Sequence, residues 1–206
     1  MMTSFKSNLA RRHVIIGGLS TLSLTAFRPG AALALSEDEA RKLIDKAVTE
    51  INSVINSGKS ESAILRDFEG IFRRYADVPN IARSALGPPA RSASKSQMSK
   101  FSEAFVGYLS RKYGKRFREF EGSEIRVTGA RAVKSFQEVK AVAQLRGQSP
   151  FDVSFMVYDR SGKDLFFDLL IEGISLLKSE RAEIGAMLDK QRGDLDALIK
   201  VLAKAG

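Results

Sequence analysis

Residues 162–177, with the sequence GKDLFFDLLIEGISLL, have the pattern of a strand that leads directly into a helix. Alternate residues of this strand share one face: Leu165, Phe167, Leu169 and Ile171. Asp168 falls on the opposite face, between Phe166 and Leu170. Glu172-Gly173 breaks the period of two, and a helical pattern begins at Ile174. The apolar face of this strand must be buried, either in an ordinary protein core or in an interior that also holds a ligand.

The preceding residues predict three more strands with the same period of two. Their apolar positions begin at Ile125, at Val139 and at Phe151, and turns are predicted at residues 129–135, 147–150 and 159–162. Connections this short favour antiparallel neighbours. The sequence therefore predicts an antiparallel sheet of about four strands with one strongly apolar face.

Helical patterns occupy the chain before and after this predicted sheet. Ser36 with Glu39 and Ser94 with Gln97 have the spacing of capping boxes, and Gly58 and Gly87 are predicted helix ends. Residues 174–188 and 195–202 are predicted to close the chain as helices. The fold class is therefore α+β, with roughly six helices that enclose an apolar interior against the sheet.

Residues 1–34 have the pattern of a cleaved export signal. Lys6, Arg11 and Arg12 precede a short apolar run, and residues 32–34 form a small-x-small cleavage site. Arg11-Arg12 favours the twin-arginine route, and the general secretory route is the alternative. We expect a periplasmic protein with a single domain at residues 35–206.

The composition excludes most catalytic and metal chemistry. The chain has no Cys, and its single histidine, His13, lies in the predicted export signal. The predicted export signal contains four of the 33 basic residues: Lys6, Arg11, Arg12 and Arg28. Cleavage would leave 29 basic and 24 acidic residues, a net charge of +5. Nucleic-acid binding is not expected, because the aromatic residues fall on apolar faces instead of within a dense basic patch.

Asp168 and Glu172 are the best candidates for a catalytic pair, because both lie at the end of an apolar strand. The alternative is a structural role at the bend between the strand and the helix. A third hypothesis is an interaction protein with a filled core and no ligand.

Basic residues fall within a narrow arc of the long helix that begins near Ser94: Lys100, Arg111, Lys115 and Arg118. The arc is either a solvated face or a docking surface for an acidic protein or for lipid headgroups.

The chain resembles a known family in three stretches. Residues 72–87 contain Ala76-Asp77 followed by Ile81-Ala82-Arg83 and Leu86-Gly87, and residues 101–114 resemble the long helix of the same family. Residues 168–177 are similar to its signature Asp-x-x-(Ile/Val)-Glu-Gly-(Ile/Val)-Ser-Leu. This is the toluene-tolerance family, the periplasmic phospholipid-binding component of the Mla lipid-asymmetry ABC transport system. The resemblance extends over about residues 40–202.

Two departures from the family pattern concern the ligand. Leu165-Phe166 stands where the family usually has a Trp, and of the usual Asn-Tyr-Arg that follows the start of the helix only Arg181 is retained. A sister group of the family is associated with hopanoids, so a triterpenoid is the alternative ligand.

The resemblance implies a monomeric lipid carrier, without a cofactor or a metal and without enzymatic activity. It would receive a phospholipid from one membrane complex and release it at another, with an inner-membrane ABC transporter complex and an outer-membrane lipoprotein complex as partners. The side chains expected to contact lipid are Phe72, Ile81, Leu86, Phe101, Phe105, Leu109, Tyr113, Val127, Val153, Phe155, Val157, Phe167, Leu169, Ile171, Ile174 and Leu177.

Overall fold

Four α-helices precede the sheet in the computed structural model, which describes residues 35–114, 121–160 and 162–206. They are α1 (Glu37–Ile55), α2 (Glu61–Tyr75), α3 (Val78–Leu86) and α4 (Lys95–Gly114), and a 3₁₀ turn (Pro88–Arg91) joins the last two. Both predicted capping boxes are present, at the start of α1 and of α4. The predicted export signal lies outside the described residues.

Five antiparallel strands follow, and each pairs with the next in chain order. They are β1 (Glu124–Val133), β2 (Phe136–Gln144), β3 (Phe151–Tyr158), β4 (Leu165–Ile171) and β5 (Ile174–Ser175). Helices α5 (Leu176–Lys190) and α6 (Leu195–Leu202) follow. The α+β fold with six helices and an antiparallel sheet is confirmed, and the short β5 is an addition to the four predicted strands.

Strand β1 is longer than predicted. The turn expected at residues 129–135 is only Lys134-Ser135, because pairing with β2 continues to Val133. A register shift between Val127 and Gly129 inserts one extra residue into β1. Such a bulge interrupts the alternation of apolar residues, which is why the sequence pattern ended the strand too early.

A second register shift changes which residues of β4 face the interior. Met156 pairs with Asp168 but Val157 pairs with Phe166, so Phe167 is the extra residue of a bulge. The prediction that Phe167 shares a face with Leu169 is therefore wrong. Phe166 packs into the interior beside Phe155, whereas the ring of Phe167 lies against Phe136 and Tyr158.

The interior consists of three apolar clusters. The helical cluster brings together residues of α3, α4, α5 and α6, and the sheet cluster packs β1, β2 and β3 against α1. The α1–α2 cluster contains residues of α1 and α2 only. Phe166 packs against all three clusters, so it lies where they meet.

A polar network joins α4 to α5. Lys112 donates to Glu180 at 2.7 Å and to Glu183, and the hydroxyls of Tyr108 and Tyr113 donate to the same two carboxylates. Glu180 is only 2% exposed. Burial alone would lower the pKa of Lys112, but its hydrogen bonds to Glu180 and Glu183 outweigh burial and raise that pKa. The network therefore keeps a buried carboxylate paired between two helices.

We expect Lys112→Met to destabilise the protein by about 3 kcal/mol, because it leaves the buried Glu180 carboxylate without its counter-ion. The double variant Lys112→Met/Glu180→Met should recover most of that loss, since no buried charge remains. Urea unfolding at pH 7 measures both. Equal stabilities of the single and double variants would contradict the role of Lys112 as counter-ion.

The network also predicts that the stability of the fold decreases at acidic pH. The hydrogen bond from Lys112, with that from Tyr108, lowers the pKa of Glu183. A carboxylate with a lowered folded pKa stabilises the fold above its unfolded pKa, about 4.3, and this contribution disappears as the pH falls through the folded pKa. The pH dependence of unfolding below about pH 4.3 should therefore be shallower in Lys112→Met than in the parent.

Candidate functional site

Three aromatic rings fill the place where the clusters meet, which we call the seam. Phe166 of β4 lies edge-on to Phe72 of α2, with ring centroids 5.9 Å apart, and edge-on to Phe155 of β3 at 5.7 Å. Edge-to-face contacts at these distances are favourable for aromatic rings. The seam is therefore an apolar junction between the helices and the inner face of the sheet.

Most of the predicted lipid contacts lie on the two sides of this seam. The helical cluster and its partly buried neighbours contain Phe72, Ile81, Leu86, Phe101, Phe105, Leu109 and Leu177. The sheet cluster and its neighbours contain Val127, Val153, Phe155, Val157 and Leu169. Phe166, which joins the two sets, was missed because the alternation in the sequence assigns it to the outer face. The bulge that reverses this assignment depends on the partner strand and leaves no signal within β4 itself.

Four predicted contacts lie away from the seam. Phe167 is on the outer face of the sheet, and Tyr113 donates its hydroxyl to Glu180 between α4 and α5. Ile171 and Ile174 flank the turn between β4 and β5 and are 37% and 67% exposed. Tight turns leave few neighbours to cover the residues beside them, so these two side chains face solvent.

An open groove of about 770 Å³ lies on the outer face of the sheet. We call it the outer groove, and its lining residues are Phe136, Met156, Phe167, Asp168, Leu170, Gly173, Ile174, Ser175, Lys178 and Ser179. Its apolar side chains lie on β2, β3, β4 and β5, and its polar ones come from Asp168, Ser175 and the start of α5. A single sheet face forms the floor, so an occupant of the outer groove would keep contact with water.

A second groove, of about 650 Å³, lies between α2, α3, α4 and the beginning of β4. We call it the basic groove, and its lining residues are Arg73, Arg74, Ala76, Val78, Pro79, Asn80, Arg83, Met98, Ser99, Ser102, Glu103, Lys163 and Leu165. Four of these carry positive charge and one carries negative charge. Cationic and apolar side chains therefore line the same groove, an arrangement that suits an amphipathic ligand.

Asp168 and Ser175 cap the beginning of α5. The Asp168 carboxylate accepts hydrogen bonds from the Leu177 N–H at 3.0 Å and from the Ser175 hydroxyl at 2.6 Å. The Ser175 hydroxyl oxygen in turn accepts from the Lys178 N–H at 3.1 Å. A helix N-terminus has unpaired N–H groups and a partial positive charge, so a carboxylate here stabilises the helix. The geometry gives Asp168 a structural role at the bend.

The arc of basic residues on α4 is only partly described. Lys100 is exposed, and Lys115 and Arg118 lie outside the described residues. Arg111 donates to the carbonyls of Ala205 at 2.8 Å and Leu202 at 2.6 Å, at the end of α6. A cation is favourable at a helix C-terminus, so the guanidinium of Arg111 holds α6 against α4.

The sequence profile of the family described as MlaC protein matches residues 43–204. The chain belongs to the MlaC protein family. This match confirms the resemblance found in residues 168–177.

A solved structure supports the fold of this MlaC family member. It is that of a phospholipid-binding protein from Ralstonia solanacearum in complex with a phospholipid, and it superposes with a TM-score of 0.68 at 18% sequence identity. The match covers 79% of this chain and 94% of the other. No curated protein sequence matches the chain.

The residues that carry the MlaC resemblance build the junction of β4 and α5. Glu172 and Gly173 both have positive φ, 49° and 76°, as a two-residue turn of a tight hairpin requires. Glu172 also holds β3, because its N–H donates to the Asp152 carbonyl at 2.9 Å. Asp168 and Ser175 are the cap described above. The signature is thus explained by a turn and a helix start.

We expect Asp168→Ala to destabilise the protein by about 1–2 kcal/mol, the usual effect of losing a helix cap. Ser175→Ala should lower the free energy of unfolding by about 1 kcal/mol. The double variant should lose less than the sum of the two single losses, because the two side chains form one hydrogen-bonded unit. Guanidinium unfolding measures all three. Strict additivity would contradict the shared cap.

Proposed function

We propose that this protein is a periplasmic carrier that buries the acyl chains of a phospholipid in the seam between the sheet and the helices. Membership of the MlaC protein family over residues 43–204 supports the proposal. It is also supported by the similar Ralstonia solanacearum structure, which is that of a phospholipid-binding protein with a phospholipid bound. The export signal predicted at residues 1–34 agrees with a periplasmic location.

The observation that carries the proposal is the division of the interior at Phe166. A single close-packed core would have to be broken to admit a ligand, whereas three clusters that meet at one ring can separate along their boundary. Phe72 and Phe155, on opposite sides of that boundary, both contact Phe166. Rotation of the Phe166 ring, together with a small separation of the helices from the sheet, opens an apolar space between the helical and sheet clusters.

Burial in this space accounts for transport without covalent chemistry. Each CH₂ group of an acyl chain costs about 0.8 kcal/mol in water, so a lipid with two long chains does not cross an aqueous compartment unaided. The seam encloses a chain from both sides, which the outer groove does not. The carrier would exchange its lipid with an inner-membrane ABC transporter complex and an outer-membrane lipoprotein complex, the partners that the family resemblance implies.

Extraction of the purified protein with organic solvent, followed by mass spectrometry, tests the proposal. We expect about one phospholipid per protein, and delipidated protein should take up phospholipid again from vesicles. Recovery of a hopanoid instead would support the alternative ligand. The sequence feature that motivates this alternative is Leu165-Phe166, which stands where the family usually has a Trp. A protein that carries no lipid and takes none from vesicles would contradict the proposal.

A matched pair of variants tests where the chains lie. Phe155→Trp adds volume inside the seam and should lower lipid uptake strongly, whereas Phe167→Trp adds the same volume on the outer face and should leave uptake unchanged. Overpacking costs about 1–3 kcal/mol, so thermal unfolding must show that both variants fold. Leu169→Trp, opposite Phe155 on β4, is the second interior variant. The reverse result, with loss only in Phe167→Trp, would place the chains in the outer groove.

A further inference from the structure

The charges of the basic groove are only partly neutralised by protein groups. Arg73 forms two hydrogen bonds with Glu103, at 3.1 and 2.6 Å, and Arg74 pairs with Glu50. Arg83 has no acidic partner among the described residues, and its one hydrogen bond, to the Ala90 carbonyl, is long at 3.5 Å. Two of the four cations are therefore compensated within the described chain, and Arg83 is available to a ligand.

Lys163 is the second available cation. It is exposed in the turn before β4 and forms no ion pair with a described residue. The neighbouring Asp164 does not line the groove, and burial, together with the charges of Glu39 and Asp159, raises its pKa. Asp77, beneath the groove, is 2% exposed and accepts hydrogen bonds from Tyr158 and Asn80. Arg83 and Lys163 thus line the same groove, and its one acidic lining residue, Glu103, is already paired with Arg73.

The basic groove and the seam are built by neighbouring residues of the same segments. Leu165 lines the groove, and the next residue, Phe166, fills the seam. Ala76, at the base of the groove, forms a parallel bridge with Phe166, and the Asp77 N–H donates to the Phe166 carbonyl at 2.9 Å. Phe72, which contacts Phe166, lies one residue before Arg73 on α2. Arg73 is therefore adjacent in the chain to a seam residue, and Lys163 lies three positions before Phe166.

We propose that the basic groove binds the phosphate diester of the phospholipid whose acyl chains occupy the seam, with Arg83 and Lys163 as its charged contacts. This inference rests on the proposed function and adds a headgroup site to it. Arginine and lysine both bind phosphate, and Ser99 lines the groove as a neutral donor. A phosphate held here would lie on the helical side of Phe166, beside the Ala76-Asp77 segment that bonds to it.

Charge reversal tests this site against a matched control. The test variant is Arg83→Glu/Lys163→Glu, and the control is Lys46→Glu/Lys140→Glu, which changes the net charge equally at exposed positions outside the groove. Each protein is titrated with a fluorescently tailed phosphatidylglycerol and with a diacylglycerol that has the same chains. Arg83→Gln/Lys163→Gln serves as a milder variant in case the reversal impairs folding.

We expect the parent and the control to bind phosphatidylglycerol at least about tenfold more tightly than diacylglycerol, as charge-assisted hydrogen bonds to a phosphate allow. The test variant and the milder variant should lose this preference while diacylglycerol binding stays unchanged. An unchanged preference in both groove variants would overturn the headgroup site and leave the proposed carrier function intact.

Calorimetric titration with glycerol phosphate separates the lipid headgroup from a free phosphate. We expect binding far weaker than that of the lipid, since the seam contributes nothing to it. Glycerol phosphate that binds as tightly as phosphatidylglycerol would overturn the lipid assignment in favour of a soluble anion. If the parent binds neither lipid, the carrier function itself fails, and the headgroup site fails with it.

Discussion

The interior of this protein depends on the position of one side chain, the phenyl ring of Phe166. A bulge at Phe167 turns Phe166 toward the helices, where it packs against the helical, sheet and α1–α2 clusters. Without the bulge, Phe167 would face the helices and Phe166 the solvent side of the sheet. One extra residue in β4 therefore decides which aromatic ring joins the layers of the fold.

Polar interactions fix the ends of the helices and leave the middle of the interior apolar. Asp77 holds the start of α3 to β3 through the Tyr158 hydroxyl at 2.9 Å, and burial, with this hydrogen bond, raises the pKa of Tyr158 to about 12. Asp168 fixes the start of α5, and Arg111 fixes the end of α6. Contacts of this kind set the relative positions of the elements, and one backbone hydrogen bond, from the Asp77 N–H to the Phe166 carbonyl, joins the helices to β4 beside the apolar rings of the seam.

Local sequence signals predicted the helices and the fold class well, because each depends on residues that are neighbours in the chain. The capping boxes of Ser36 and Ser94 and the helix end at Gly87 are examples. Residues 195–202 were predicted as a helix with the bounds that α6 has. The two bulges were not predicted, because a register shift is a property of two strands together. The role of Arg111 was missed for the same reason, since it depends on where the end of α6 lies in space.

The candidate site was predicted in part. Residue type and spacing identified the apolar positions of the interior but not how they divide into clusters, because the division depends on packing between distant segments. The basic groove left no signal, since Arg73 and Arg83 are ten residues from each other and far in sequence from Lys163. Cations on three separate elements become one site only when the chain folds.

The proposed function requires reversible binding, which would limit the affinity of both parts of the proposed site. An interior that buried two acyl chains in a permanently open cavity would hold them too tightly for transfer, given about 0.8 kcal/mol for each CH₂ group. In this fold the two sides of the seam also pack on each other, as the contact between Phe72 and Phe166 at 5.9 Å shows. In the proposed carrier, closure of the seam after release would remove its apolar surface from water and offset part of the cost of losing the lipid. Because the apolar contacts would be formed both with and without a ligand, they would lower its net affinity. The cations of the basic groove would then be the groups that distinguish a phospholipid from another lipid with two chains.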